Sequence, residues 1–469
     1  MPTRLLYPFR SIGSPSESGR VVGYGSRGRK PIERASKIAH TEIIKNAQVR
    51  EYLDGCEIPS APPAVSLAGK LRSLGESPES AVTAVIAVDG GYTETYVREE
   101  YPSASIAFFT FGPLLFELAD LRSLEQKRFI APEDLARLKN IERFTLVLPI
   151  KGVRRRGEAS LSRTIRRTVY EFFAQARGAD ERLMESLTWF LFRQWKRPFD
   201  DAQIALVEHC PEGCGHGPTT FVQDGPSRKQ CAGCGEPVFL TDVFRLHERI
   251  DDELGARGIL SYVMTMLEQL VLVHLIYTIL ERLQPSLMRR ILFVKDGPLA
   301  FFGVVSPLHR PMRELVEHLL TEPSGRDGPT LRLVGLEKSG EFVEHAAEIQ
   351  GHMEPGSYLI VGDEYIRRFV VPGEAGIVYG RNTYYGQKVL FRAPGGEMHV
   401  ATIPGRSYLA EPSMEDIPYL EEILSLISEL RCSMYENSLI PVALANKLVS
   451  LSDFPSKRIL TTFAQDVIE

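Results

Sequence analysis

The chain has 469 residues, of which 43% are hydrophobic and 25% are charged, and its formal net charge is −5. This composition excludes a largely disordered chain, and the length predicts roughly three domains. Six cysteines are too few for a disulfide scaffold, and four of them cluster, so we expect a protein of the reducing cytoplasm.

The N-terminal part of the chain is basic. Residues 1–50 contain ten Lys and Arg against three Glu, a local charge of +7. Gly, Ser and Arg dominate residues 1–33, which predicts an arm that binds a partner or DNA, while residues 34–54 favour a helix. A Pro-containing linker at 60–66 follows. These features predict a first region, residues 1–80, outside the main core.

Three short strands are predicted next. The run AVIAV before Asp89, the alternating segment TETYV and the run SASIAFF follow one another with short connections. They predict an antiparallel meander within residues 81–115. Residues 116–250 are predicted to form an insertion, which is mostly helical up to residue 200 and rich in Cys and Gly at 205–240.

Helices and strands alternate in residues 251–469. A long apolar helix at 257–283 precedes a strand that ends at Asp296, then a helix, then a strand that ends at Lys338. Without the insertion, this is the element order of an RNase H-like α/β fold with a mixed sheet, in which right-handed crossovers make the later strands parallel to the first. The apolar helix approaches the length of a membrane span, but its α/β neighbours favour a buried core helix and no membrane contact.

Acidic residues end two of the apolar strands. Asp89 and Asp296 each precede a glycine, and most Asp-Gly pairs are turns. However, carboxylates at the carboxyl ends of buried strands are held rigidly and face one crevice. Glu268 lies in the apolar helix at a distance from the helix end that matches the length of the strand to Asp296, so these side chains are predicted to meet. The alternatives for Glu268 are a salt bridge to an arginine and an exposed stripe on the helix.

Three converging carboxylates suit Mn²⁺ or Mg²⁺, and two such ions can promote phosphodiester hydrolysis. Lys338, at the end of the next strand, is placed to orient water or to neutralise phosphate charge, with a solvated lysine as the alternative. The sequence therefore predicts a catalytic site formed by Asp89, Glu268, Asp296 and Lys338.

Four cysteines have the spacing of a zinc ribbon. Cys210 and Cys214 form one pair and Cys231 and Cys234 the other, each on a Gly-rich knuckle. A closed site of four thiolates binds Zn²⁺ for a structural purpose. The ribbon is expected either to hold the insertion together or to contact DNA or a partner.

Two weaker patterns concern DNA binding. Arg154, Arg155 and Arg156, with three arginines of the following helix, are candidates for phosphate contacts, and a solvated basic face is the alternative. Tyr384 lies where aromatic and basic residues alternate, which makes it a candidate for stacking on a base, with strand packing as the alternative.

At these residues the sequence resembles the NurA family, metal-dependent nucleases that act on DNA ends and partner the hexameric HerA translocase. The motifs are short, and their order and spacing carry the resemblance over residues 80–112 and 255–455. The matching features are Asp89-Gly90, the helical Glu268, LFVKDGPL with Asp296, LVGLEKS with Lys338, and a late PVALA element.

The resemblance implies an RNase H-like core, a homodimer, Mn²⁺-dependent exonucleolytic cleavage of linear DNA, and coupling to a HerA-type ATPase in DNA-end processing or antiviral defence. It also implies that Asp89, Glu268 and Asp296 hold the metal and that Lys338 is the conserved basic residue. Two departures matter. Asn446 stands where many relatives have His, so a proton-transfer role does not carry over, and the large insertion is foreign to the archaeal pattern.

Two other functions are open at this stage. A catalytically silent scaffold subunit that grips DNA for a translocase is favoured by Asn446 and opposed by the intact carboxylates. A phosphotransferase on a related fold is a weaker reading, because the sequence has no G-x-x-x-x-G-K-[ST] phosphate loop.

Overall fold

A computed structural model of the chain describes residues 43–56, 67, 69–75, 80–98, 100, 103–125, 143–176, 182–196, 203–321, 331–373, 376–431, 439–449 and 456–468. The predicted arm at 1–33 and the linker at 60–66 lie outside the described residues. The chain divides into two compact units, Met1–Ile58 and Pro59–Glu469.

In the first unit, helix α1 (Ala47–Asp54) lies within the segment predicted to be helical. Asn46 caps its start, since the Asn46 side chain accepts a hydrogen bond from the Gln48 backbone N–H at 2.9 Å.

The second unit is built around thirteen described strands. They are β1 (Arg72–Ser73), β2 (Ala84–Arg98), β3 (Ala104–Glu117), β4 (Phe144–Lys151), β5 (Ile204–Val207), β6 (Thr219–Val222), β7 (Arg228–Gln230), β8 (Pro237–Phe239), β9 (Ile291–Asp296), β10 (Arg332–Glu337), β11 (Ser357–Val361), β12 (Gln387–Arg392) and β13 (Met398–Ile403).

Nine of these strands form one mixed sheet in the order β1-β11-β12-β13-β10-β9-β2-β3-β4. Strands β2, β3 and β4 are antiparallel neighbours, whereas β9 runs parallel to both β2 and β10. The predicted α/β class with a mixed sheet is confirmed. The cysteine-rich region carries two small hairpins of its own, β5-β6 and β7-β8.

The meander differs from the prediction in two ways. Strand β2 is one continuous strand of 15 residues that covers both the AVIAV and the TETYV segments, so Gly90-Gly91 is not a turn. The third strand is β4, which lies in the stretch predicted to be a helical insertion. Its alternate residues Phe144, Leu146, Leu148 and Ile150 are buried, as expected for a strand with one face on the core. The predicted insertion therefore supplies the edge strand of the main sheet.

Helices cover both faces of the sheet. In chain order they are α2 (Leu118–Glu125), α3 (Leu161–Ala174), α4 (Leu183–Leu191), α5 (Leu260–Tyr277), α6 (His309–Thr321), α7 (Glu341–Ile349), α8 (Asp363–Phe369), α9 (Leu420–Glu429), α10 (Ile440–Val449) and α11 (Ser456–Ile468). One core cluster joins α3, α4, α5 and α6 to the sheet, and a second joins α9 and α10 to it.

Helix α5 continues into a π-helical turn, Thr278–Arg282. Among the described residues, one helical stretch, Arg257–Arg282, is long and apolar enough to cross a membrane. However, 72% of its most apolar 18-residue segment is buried inside the protein. Leu267, Val271 and Leu272, which flank Glu268, are each at most 2% exposed. The stretch is therefore packed as a core helix, as predicted.

Candidate functional site

Asp89 and Asp296 lie side by side on one face of the sheet. The parallel pairing of β2 with β9 ends at Val88 opposite Lys295, so the next residue of each strand is one of the two aspartates. Side chains alternate between the faces of a strand. Both aspartates thus share a face with Ala87 and Val294, which belong to the core cluster under α9 and α10.

Helix α5 approaches this point from the opposite face. A Cβ atom on Gly90 would lie 2.2 Å from Met264 Cε and 2.8 Å from Phe111 Cβ, so only glycine admits the helix this closely. This close approach explains the glycine next to Asp89 inside a long strand, and it brings the second turn of α5 toward the carboxylates.

Glu268 is buried and ion-paired. Its Oε2 atom accepts a bond from Lys295 Nζ at 2.7 Å, and the two side chains are 9% and 3% exposed. The ammonium group of Lys295 also donates to the Asp296 backbone carbonyl. Part of the salt-bridge alternative for Glu268 is therefore realised, with a lysine in place of an arginine.

The neighbouring residue Gln269 fixes α5 to the loop after Asp296. Its amide nitrogen donates to the Ala300 carbonyl at 3.1 Å, and its side-chain oxygen accepts a bond from the Tyr385 hydroxyl. Lys295, Gln269 and Tyr385 were not among the predicted site residues. The one signal for them in the sequence is the charged Lys295 inside the apolar run ILFVKD.

Lys338 lies at the open side of the same cluster. Its ammonium group is 2.8 Å from Asp296 Oδ2, and these side chains are 29% and 20% exposed. The structure therefore brings Asp89, Glu268, Asp296 and Lys338 together around the carboxyl ends of β9 and β10.

The electrostatics of the cluster centre on Asp89, which is 4% exposed. Burial, and then the charges of Asp296 and Glu268, raise the pKa of Asp89 to about 8 against the opposing effect of Lys338. Burial likewise raises the pKa of Glu268, although Lys295 acts in the opposite direction. Without a further cation, the buried carboxylates repel one another and favour protonation.

The chemistry of the carboxylate donors suits a hard divalent cation. Asp89 Oδ1 accepts the Gly90 backbone N–H at 2.7 Å, but Asp89 Oδ2 is buried with no hydrogen-bond partner among the described residues. Carboxylate oxygens are the ligands that Mg²⁺ and Mn²⁺ prefer. The carboxylates of Glu268 and Asp296 are each paired with a lysine. Among the described residues, the four cysteines bring their ligand atoms within 4.8 Å of one another, whereas the three carboxylates do not.

Asn446 lies on α10, beside the cluster that contains Ala87. The preceding residues Leu444 and Ala445 are buried, whereas the Asn446 side chain is exposed.

The four predicted cysteines converge. The Sγ atoms of Cys210 and Cys234 are 3.7 Å apart, and those of Cys214 and Cys231 are 3.6 Å apart. These separations are too long for a disulfide and match the edge of about 3.8 Å that a tetrahedral Zn–S₄ site has at a Zn–S distance of about 2.3 Å. Backbone N–H groups of Cys234 and Gly233 lower the pKa of the Cys231 thiol to about 6, which favours the thiolate that binds metal. The cluster could hold zinc.

Arginines of α3 anchor the knuckles of this cluster. Arg163 pairs with Glu212 at 2.7 Å and with Glu236 at 2.9 Å. Arg166 is 2% exposed and pairs with Glu212 and with Asp242, the latter at 2.7 Å. The predicted phosphate contact is wrong for Arg166, because its guanidinium is buried among acids of the cysteine-rich region.

The remaining DNA-contact candidates differ in exposure. Arg154, Arg155 and Arg156 are exposed, and Arg155 pairs with Glu171. Tyr384 is 5% exposed and packs against Phe302 and under the Lys388 ammonium, so its ring is covered and not open to a base. Strand packing, the alternative given above, accounts for this tyrosine.

Comparisons with known proteins return few likenesses. No family model matches the sequence, and no curated protein matches it. Among solved structures, the NurA nuclease from Sulfolobus solfataricus is 9% identical with a TM-score of 0.34, over 92% of this chain and 97% of that one. A second crystal structure of NurA is 11% identical with a TM-score of 0.29, over 92% of this chain and 95% of that one. Scores this low do not establish a shared fold.

Proposed function

We propose that the chain is a metal-dependent nuclease that hydrolyses phosphodiester bonds of linear DNA. One observation carries the proposal: Asp89, whose buried Oδ2 atom has no hydrogen-bond partner among the described residues, lies near two further carboxylates, Asp296 and Glu268, and near Lys338. A buried, unpartnered carboxylate is costly, and a bound cation would offset that cost.

The sheet supports this assignment. Strands β4, β3, β2, β9 and β10 are adjacent in that order, with a three-stranded antiparallel part followed by two strands parallel to β2. We propose that these strands form an RNase H-like core, in which acidic side chains on the first and fourth strands would lie next to each other. Asp89 and Asp296 occupy those positions.

A divalent cation, Mn²⁺ or Mg²⁺, would supply a Lewis acid that activates water and stabilises the leaving oxygen. Asp89, Glu268 and Asp296 would be the residues that hold it. Lys338, whose ammonium is partly exposed, would bind a phosphate oxygen of the substrate. In the reaction water adds to phosphorus and the P–O bond to the sugar oxygen breaks, leaving a phosphate monoester and a hydroxyl.

The cysteine cluster has a different role in this proposal. Four thiolates close the coordination sphere, so Zn²⁺ at Cys210, Cys214, Cys231 and Cys234 would be structural. The ion pairs of Arg163 and Arg166 with the knuckle acids attach this region to the core.

The motifs shared with the NurA family support the finer assignment. The chain would act exonucleolytically as a cytoplasmic homodimer with a HerA-type hexameric ATPase, in DNA-end processing or antiviral defence. The basic residues 1–50 would contact DNA or the ATPase.

The test is cleavage of end-labelled linear DNA, with covalently closed DNA and RNA as parallel substrates, in Mn²⁺ or EDTA. We expect Mn²⁺-dependent shortening of linear DNA that Asp296→Asn abolishes. Asp224→Asn is the matched control, because Asp224 also precedes a glycine but is exposed between β6 and β7.

Absence of cleavage by the chain alone would be followed by the same assay with a HerA-type ATPase. Inactivity in both assays would refute the nuclease and favour the silent scaffold subunit, for which DNA binding without cleavage is the expected result.

A further inference from the structure

Lys295 is a buried charge beside the carboxylates that the proposed reaction does not use. It lies in the middle of the sheet, 2% exposed, one residue before Asp296. Its ammonium group contacts two oxygen atoms: Glu268 Oε2 at 2.7 Å and the backbone carbonyl oxygen of Asp296. A carboxylate and a carbonyl oxygen are the two ligand types that a hard cation takes from a protein.

The backbone is shaped to present the second of these oxygens. Gly297 has φ +86°, a conformation that favours glycine, and its N–H donates to the Leu336 carbonyl at 2.7 Å. This turn directs the Asp296 carbonyl to the Lys295 ammonium and leaves the Asp296 side chain for Lys338. Lys295 is thus surrounded by site oxygens rather than by surface solvent.

The charges of the cluster favour a single divalent ion. Three carboxylates and the two lysines, Lys295 and Lys338, leave one uncompensated negative charge. One divalent ion changes this sum from −1 to +1, whereas two ions would bring it to +3 in a largely buried site. Burial of unbalanced charge is strongly unfavourable.

We infer that Lys295 takes the position of a second cation, so that the carboxylate site binds one divalent ion per chain and not the two of a two-metal nuclease. The inference rests on the proposed metal-dependent function. Lys295 acts as a positioning residue here, because it orients Glu268 and the Asp296 carbonyl and touches no substrate.

The experiment counts Mn²⁺ ions bound to the full chain by equilibrium dialysis and by calorimetry, with zinc measured in the same samples. The wild-type chain is expected to bind one Mn²⁺ that Asp89→Asn removes. Lys295→Met, which keeps the stem but removes the charge, frees the two oxygens and is expected to bind two. Lys388→Met is the matched control and is expected to bind one ion, because Lys388 is an equally buried lysine that pairs with Glu337 and not with a carboxylate of the cluster.

If the wild-type chain binds two Mn²⁺ ions that Asp89→Asn removes, the inference is overturned. It is also overturned if Lys295→Met folds and still binds one ion. If that variant does not fold, the pair Lys295→Met with Glu268→Gln removes both charges and is expected to bind one ion; two would contradict the inference.

Cleavage measured on the same preparations separates the two proposals. One bound ion without cleavage, both by the chain alone and with a HerA-type ATPase, would refute the nuclease function and leave the ion count standing. Two bound ions with cleavage would refute the role of Lys295 and leave the nuclease. If the chain binds no Mn²⁺ that Asp89→Asn removes, both proposals are refuted.

Discussion

Neutralising Asp89 should stabilise the metal-free protein. The Asp89 carboxyl is buried, one of its oxygens has no partner, and its pKa is raised from 3.8 to about 8. A shift of this size means that ionised Asp89 opposes folding, at about 1.4 kcal/mol per unit. Asp89→Asn keeps an oxygen for the Gly90 N–H and removes the charge.

The effect depends on pH in a direction that the pKa fixes. Because the folded state holds the proton more tightly than the unfolded state, the stability of the wild type falls as pH rises from about 4 to about 8. The variant lacks this loss. Its advantage in free energy of unfolding should be below about 1 kcal/mol near pH 4, about 2 kcal/mol at pH 5, about 5 kcal/mol at pH 7.5 and at most about 6 kcal/mol above pH 8.

Urea unfolding in EDTA, followed by the fluorescence of Trp189 and Trp195 in the core, measures this difference. Asp296→Asn is the contrasting variant, since Asp296 is partly exposed and paired with Lys338; its loss should cost up to about 1 kcal/mol. Neither variant should gain stability from Mn²⁺. An Asp89→Asn protein that is no more stable than wild type at pH 8.5 in EDTA would refute the reasoning.

Three further perturbations test other parts of the structure. Arg166→Met leaves buried acids unpaired and should lower the free energy of unfolding by about 3–5 kcal/mol, against less than about 1 kcal/mol for the exposed Arg155→Met; equal losses would contradict the burial of the pair. Elemental analysis should detect zinc in the wild-type chain, and Cys231→Ser should remove it and expose residues 205–240 to proteolysis. An unchanged zinc content in the variant would exclude a four-cysteine site. Gly90→Ala forces Met264 and α5 outward, so it should lower the free energy of unfolding by about 1–3 kcal/mol and abolish stabilisation by Mn²⁺. A Gly90→Ala protein that Mn²⁺ still stabilises would contradict this expectation.

The convergence of the acidic residues was predictable because each position follows from a simple length or edge rule. Asp89 and Asp296 end the paired parts of adjacent parallel strands, and Glu268 is as far back along its helix as Asp296 is forward along its strand. The cysteine cluster was predictable from spacing alone.

The errors arose where a local signal competed with a tertiary contact. Gly90-Gly91 is typical of a turn, but the close approach of Met264 requires a glycine at position 90, and β2 continues through both residues. Strand β4 has the alternation of a half-buried strand, yet helical segments surround it in the sequence. Lys295 gave little signal because a single charge in an apolar run does not reveal that a carboxylate lies opposite.

The position of Glu268 depends on the cysteine-rich region through the segment that precedes α5. The Ala256 backbone N–H donates to the Ile150 carbonyl of β4 at 2.8 Å, and Asp252 accepts the Leu161 backbone N–H of α3 at 2.7 Å. Helix α3 in turn holds the cysteine knuckles through its arginines. Glu268 lies two turns after the start of α5, about 12 Å along the axis. A shift of the segment that these hydrogen bonds hold would therefore move Glu268 with the start of the helix. Asp89 and Asp296 lie on hydrogen-bonded strands and do not share the anchor. Disruption of the cysteine cluster should therefore act on the carboxylate site mainly through Glu268.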